Sequence, residues 1–162
     1  MEQKNRTIII FLAGELKNEK NVLSLFQDEM YACYAADGGY LLAHRLNVRV
    51  DKILGDFDSA PKPNLEGILI YPSEKDQTDS ELALYLALAD GYRDIWMIAP
   101  FGGRLDHTIA NICLLEAAFE KGASLKLYDG ENLAFILPRG RHAISNKYRY
   151  ISFFPWNGDA TV

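Results

Sequence analysis

Carboxylates recur in this chain at spacings that suit a hard divalent cation. Asp56 and Asp58 flank a phenylalanine in Gly55-Asp56-Phe57-Asp58-Ser59. In an extended backbone alternate side chains share a side, so both carboxylates would face one way and Phe57 the other. Two such oxygens favour Mg²⁺, which takes oxygen ligands and phosphates. A second acidic cluster follows at Asp76, Asp79 and Glu81, and then comes Gly102-Gly103-Arg104-Leu105-Asp106-His107. There the glycines allow close backbone approach, and Arg104 can fork onto a phosphate. Asn111 lies one helical turn beyond His107, and Asp37-Gly38-Gly39 is a further acid–glycine turn. Together these groups suit a magnesium-bound polyphosphate. Neither a G-x-x-x-x-G-K-[ST] loop nor a G-x-G-x-x-G fingerprint occurs, so metal and carboxylates would have to replace the usual lysine cradle.

Each piece also has a plainer reading. The first is an Asp-rich turn with Ser59 as a cap. Asp79 and Glu81 are acids of the kind favoured at a helix start by the macrodipole. Arg104 is then a solvated side chain on a glycine loop with Asp106 as the helix cap, His107 a structural histidine, and Asp37 part of an ordinary turn. What separates the two readings is position, and position depends on the elements between the motifs.

Those elements alternate. Strands are expected at Thr7–Ala13, Tyr31–Ala36, Lys52–Leu54, 67–71 and Ile95–Ala99, from short apolar, β-branched or aromatic runs ended by turn residues. Helices are expected at Asn21–Met30, Tyr40–Leu46 and Leu105–Phe119. Another begins at the capping box Thr78-Asp79-Ser80-Glu81 and carries an apolar stripe of Leu82, Tyr85, Leu86 and Ala89. Alternation of this kind implies βαβ crossovers and a mostly parallel sheet flanked by helices, an α/β fold. Ligands of such sheets bind at the carboxyl ends of the strands. Every acidic or glycine-rich motif follows a strand, which argues that the motifs converge.

After Gly122 the pattern changes. Ser124–Tyr128 and Leu133–Leu137 are strand-like about Asp129-Gly130-Glu131-Asn132, a hairpin-type connection. Further strands at His142–Ser145 and Tyr148–Phe154, with no helix between, read as the start of an all-β sandwich. The expected division is an α/β domain over 1–138 and the beginning of the sandwich over 139–162. So short a β region cannot cover its own apolar face. Either it docks on another subunit or the natural protein continues past Val162, and continuation is the reading favoured.

Composition narrows the partners. A formal net charge of −5 with no run of Lys and Arg argues against nucleic acid. Apolar runs are too short to span a membrane, and the first residues lack the apolar core of a signal peptide, so a cytoplasmic protein is expected. Cys33 and Cys113 have no metal or redox spacing and read as small buried hydrophobes. His44 and His142 read as surface residues.

The ordered set resembles the thiamine pyrophosphokinase family. It comprises Ala36-Asp37-Gly38-Gly39, Gly55 to Ser59, Lys75-Asp76-Gln77-Thr78-Asp79-Ser80-Glu81-Leu82-Ala83-Leu84, and Gly102 to His107 with Asn111. The resemblance implies transfer of a pyrophosphoryl group from ATP to the thiamine hydroxyl, giving thiamine diphosphate and AMP. It also implies a nucleotide-binding α/β domain, a C-terminal sandwich and a homodimer with the thiamine pocket between subunits. Carried over, Asp56, Asp58, Asp76 and Asp79 would hold Mg²⁺, with Asp37 beside them. Asp56, Asp58, Asp79 and Arg104 would be catalytic, with either Asp79 or Asp58 accepting the hydroxyl proton. Asp37, Ser59, Lys75, Thr78, Gly102, Arg104, Asp106, His107 and Asn111 would contact the substrates. Two other readings stay open: a metal-dependent phosphohydrolase with Asp56 or Asp58 as nucleophile, and a nucleotide-binding module without an acceptor site.

Overall fold

The run Thr7–Phe11 forms β1, the middle of a seven-stranded sheet in a computed structural model that describes residues 7–26, 31–55, 69–71, 77–144, 148–156 and 158. The other strands are β2 (Ala32–Ala36), β3 (Lys52–Leu54), β4 (Leu69–Tyr71), β5 (Asp94–Ile98), β6 (Ser124–Tyr128) and β7 (Leu133–Phe135). The helices are α1 (Glu19–Leu23), α2 (Gly39–Arg45), α3 (Asp79–Ala89) and α4 (Leu105–Glu120). Strand order is β4-β3-β2-β1-β5-β6-β7, with β1 to β6 parallel and β7 antiparallel to β6.

The pleat of β1 explains why its sequence is apolar throughout. Ile8, Ile10 and Leu12 join the cluster of Ala83, Leu84 and Ala87 on α3 and Leu114, Leu115 and Ala118 on α4. Ile9 and Phe11 join Val22 of α1 and Tyr40, Leu42 and Ala43 of α2 on the opposite face. A parallel strand covered on both sides loses the polar alternation of a half-exposed one. The chain thus winds β1-α1-β2-α2-β3 over one face, then crosses to lay β4-α3-β5-α4-β6 over the other. The switch falls between β1 and β5. Register sets Phe11 opposite both Ala35 and Ile98, so the carboxyl ends of β2, β1 and β5 lie level.

Several elements depart from the expectations. Helix α1 starts at Glu19, because the Asn18 side chain accepts from Asn21 N at 3.1 Å. It passes into a 3-10 turn at Ser24–Phe26, and the rest of the expected helix lies outside the described residues. The start of the fourth expected strand lies outside them too. Strand β5 begins at Asp94 and ends before Ala99, whose φ of +57° is left-handed rather than extended. Strand β7 stops at Phe135. On α3 the core-facing stripe is Ala83, Leu84, Ala87 and Leu88. Leu82, Tyr85 and Leu86 are half-buried and Ala89 is exposed. That helix is apolar almost all round, so its periodicity singles out no face. The alanine side is the one that can lie close to the sheet. Cys33 is buried, and burial pushes its thiol up, but Cys113 is exposed on α4. His44 and His142 are at the surface, as expected.

The strands expected at His142–Ser145 and Tyr148–Phe154 are absent among the described residues, none of which after β7 is in a strand; Ser145 lies outside them. Tyr150, Ile151, Phe153, Phe154 and Trp156 are exposed. An extended segment with no sheet beside it gains too little burial to offset its ordering entropy.

A polar network fastens α3 to the sheet at the end away from the acidic loops. Lys52 Nζ lies 2.6 Å from Asp90 Oδ2, the Tyr34 hydroxyl donates to the same oxygen, and Lys52 sits over the Tyr34 ring. Burial pushes the Asp90 carboxyl up, but the Lys52 and Tyr34 hydrogen bonds and the Lys52 charge outweigh it, so its pKa is depressed. A depressed carboxylate contributes stability above its unfolded pKa and loses it as pH falls through the folded one. Asp90→Asn should therefore cost about 1 kcal/mol at pH 7, the pair being partly exposed. Urea unfolding should show that difference shrinking below roughly pH 4.

Candidate active site at the carboxyl edge of the sheet

Three loops meet at the switch point. The loop after β1 is fixed to the one after β5 by Gly14 N donating to Ala99 O at 3.1 Å and Glu15 N donating to Phe101 O at 2.7 Å. Only glycine fits at position 14, because a Cβ there would lie 2.3 Å from Phe101 O and 2.4 Å from Ala99 O. The third loop, after β2, is drawn against β3 by Asp37 N donating to Leu54 O at 2.7 Å. Asp37 (φ +43°) and Ala99 are both left-handed non-glycine residues, and both sit at this edge. Such strain persists where surrounding structure over-determines it, often at functional sites.

The acidic convergence centres on Gly55, the residue that leads into Asp56. A Cβ at Gly55 would lie 3.2 Å from Asp37 Cα and 3.4 Å from Asp79 Oδ2, and its φ of +143° also favours glycine. Residues far apart in sequence (Asp37, Gly55 and Asp79) are thus neighbours. Asp79 is placed by the start of α3, where Thr78 acts as N-cap and its hydroxyl accepts from Glu81 N at 3.2 Å. The helix dipole favours an ionised carboxylate at that position. Asp37 Oδ1 is buried and has no hydrogen-bond partner among the described residues. Asp56, Asp58, Ser59, Lys75 and Asp76 lie outside the described residues. No group of three metal-ligating side chains occurs among those described. The fit to a divalent cation rests on donor type: the Asp79 carboxylate against Gly55 and the buried, unpartnered Asp37 Oδ1 are oxygen donors of the kind a hard ion takes.

A second group stands on the loop after β5. Arg104 is the N-cap residue of α4, which begins at Leu105 as expected, and Asp106, the cap in the plainer reading, stands in the first turn. Arg104 Nε donates to Asp106 Oδ1 at 3.1 Å and Nη2 to Oδ2, a two-point pair. The Arg104 hydrogen bond holds the Asp106 carboxyl below its usual range. Gly102, Arg104, Asp106 and His107 are all exposed. Asn111 is buried, and its Nδ2 donates to Pro100 O at 2.8 Å, shaping the turn that presents Gly102.

Sequence reasoning missed the loop after β1. A cleft of about 660 Å³ opens between that loop and α2, lined by Gly14, Glu15, Lys17, Asp37, Gly38 and Arg45 among others. Gly14 directly follows a buried strand, the same signal that singled out the other motifs. It stands beside a single acid, Glu15, with no second carboxylate or glycine to mark a motif. Lys17 and Arg45 are each paired with an acid, Glu15 and Glu19.

The fold and this edge define a doubly wound α/β protein with its candidate site at the switch point of the sheet, where ligands of such folds bind. A family model described as thiamin pyrophosphokinase, catalytic domain, matches residues 23–127. The chain is 33% identical to thiamine pyrophosphokinase of Bacillus subtilis (strain 168), over 93% of its own length and 75% of that protein's. It belongs to the thiamin pyrophosphokinase family. The crystal structure of the Bacillus subtilis thiamine pyrophosphokinase superposes with a TM-score of 0.73 at 30% identity, covering 83% of this chain and 66% of that one. That of the Geobacillus thermodenitrificans thiamin pyrophosphokinase gives 0.65 at 27%, covering 75% and 59%. The chain therefore spans less than two thirds of these solved relatives.

Proposed function

We propose that this chain transfers the pyrophosphoryl group of ATP to the hydroxyl of thiamine, giving thiamine diphosphate and AMP. The observation that carries the reading is the meeting of Asp37, Gly55 and Asp79 at the carboxyl edge, beside the switch point, in a chain of this family. In the reaction the thiamine oxygen bonds to the β-phosphorus. The bond from that phosphorus to the oxygen bridging the α-phosphate breaks, and AMP leaves with the electron pair. Asp58 or Asp79 accepts the hydroxyl proton.

Asp56, Asp58, Asp76 and Asp79 are assigned to Mg²⁺, with Asp37 beside them. The ion would neutralise charge on the phosphates, which an acidic cluster alone would repel. Arg104 adds a cation from the neighbouring loop, and Asp106 keeps that guanidinium oriented until phosphate competes for it. Gly102 allows the nucleotide close to the backbone. Ser59, Lys75, Thr78, His107 and Asn111 complete the proposed contacts. Alignment of alcohol and phosphorus by these groups supplies much of the rate.

The exposed Tyr150, Ile151, Phe153, Phe154 and Trp156 support a reading in which residues 139–162 belong to a β-sandwich covered in a homodimer. No helix among the described residues is long and apolar enough to cross a membrane. We place the reaction in the cytoplasm, where ATP is supplied.

The test is AMP release from ATP and Mg²⁺, with and without thiamine. Thiamine-dependent AMP is expected. ATP binding without AMP would identify a binding module, and phosphate release without thiamine a phosphohydrolase.

A further inference from the structure

The loop that walls the cleft is held from behind by a turn that none of the acidic motifs includes. Between β6 and β7, Asp129 is almost wholly buried, and its carboxylate folds the turn over itself. Oδ1 accepts from Glu131 N at 2.9 Å and Asn132 N at 2.6 Å, and Oδ2 accepts from Asn132 Nδ2 at 2.8 Å. The folded turn then presents carbonyls outward. Asp129 O accepts from Lys17 N at 2.8 Å and Asn18 N at 3.3 Å, and Gly130 O accepts from Asn21 Nδ2 at 2.7 Å. The Tyr128 hydroxyl also donates to Gly130 O, at 3.1 Å. The approach is close enough to exclude a side chain: a Cβ at Gly130 would lie 2.3 Å from Asn18 O and 2.8 Å from Asn18 N. At its other end the same loop is tied to Ala99 and Phe101, and Ala13 Cβ is 3.3 Å from the Cβ position of Gly38, in contact at the edge of the cleft.

We propose that the Asp129–Asn132 turn is a positioning device: it sets the wall formed by residues 14–18, and with it the width of the cleft that receives the nucleotide. This rests on the functional reading above. A displacement at Asn18 is transmitted along a segment clamped at both ends. Gly14 and Gly38, which both line the cleft, would then shift relative to each other. A side chain that only stabilised the fold would change the amount of active protein but not the affinity of what remains.

The test uses the full chain with Gly130→Ala and, in case that variant does not fold, Asn132→Ala, which removes the Nδ2 bond to Asp129 without adding an atom. Two quantities are read: the dissociation constant for ATP in the presence of Mg²⁺, and amide hydrogen exchange. The expected result is at least a tenfold weaker ATP affinity, with faster exchange at Lys17 and Asn18 and unchanged exchange in β1 and β5. Affinity within twofold of the parent chain, or a loss accompanied by faster exchange throughout β1 and β5, overturns the proposal. A parent chain that takes up no ATP overturns the functional reading instead. The exchange rates at Lys17 and Asn18 then still decide for or against the turn as the support of this loop.

Discussion

Asp79→Asn is expected to lower the kcat/KM of pyrophosphoryl transfer on the order of a hundredfold, equivalent to about 2.7 kcal/mol of transition-state stabilisation. The fold should change little. An acid in the first turn of a helix contributes roughly 0.3–1 kcal/mol through the macrodipole, and the cap at Thr78 is untouched by the substitution. Activity and stability therefore separate: thermal unfolding should move by only a few degrees while turnover nearly vanishes. The reason lies in where α3 begins. Its start brings the Asp79 carboxylate to within 3.4 Å of the Cβ position of Gly55, next to the backbone that enters Asp56. Removing one charge there weakens the hold on a cation shared by the proposed acidic set. Steady-state kinetics over a Mg²⁺ titration provide the check. Turnover near that of the parent chain at saturating Mg²⁺ would refute the assignment of Asp79.

Gly39→Ala should show the opposite pattern, a large loss of stability at a position that bears no reactive group. A Cβ there would lie 2.1 Å from Phe11 O, 2.5 Å from Phe11 C and 2.9 Å from Leu12 N. All three are backbone atoms at the end of the central strand, and they cannot swing aside as a side chain would. Leu12 N is itself committed to Ile98 O at 2.9 Å, so any shift propagates into β5. The expected cost is about 3 kcal/mol, at the upper end for overpacking, or a fall in melting temperature of roughly 10 °C for a chain of this size. Gly38→Ala is the internal control. Its Cβ would meet only the Ala13 Cβ at 3.3 Å, and its φ of −60° suits any residue, so stability should change much less. Equilibrium urea unfolding of both variants tests the contrast.

Much of this architecture is legible in the sequence. Buried parallel strands announce themselves as continuous apolar runs, as at Thr7–Phe11. The Thr78–Glu81 signal marked the start of α3 because capping is a local matter of side-chain and backbone hydrogen bonds. The face of α3 was not legible, since leucines and alanines surround that helix. Choosing Ala83, Leu84, Ala87 and Leu88 required knowing how closely the helix lies on the sheet. Cys113 is exposed for a related reason: apolar neighbours in sequence point in different directions around a helix, and its direction is away from the core. The tail shows the same limit. Its apolar residues have strand propensity, but a strand needs a neighbour to bond with.

The sequence by itself determined the alternation of strand and helix, the acidic and glycine motifs that follow the strands, and the family to which those motifs belong. These are local patterns, written in spacing and side-chain type. Only the tertiary structure decided that Asp37, Gly55 and Asp79 are neighbours, that the loop after β1 walls a cleft, and that a turn more than a hundred residues later fastens that loop. Such relations come from parallel register, which levels the carboxyl ends of strands distant in the chain. They also come from backbone approaches so close that glycine alone fits. Neither is written in the spacing of any one segment.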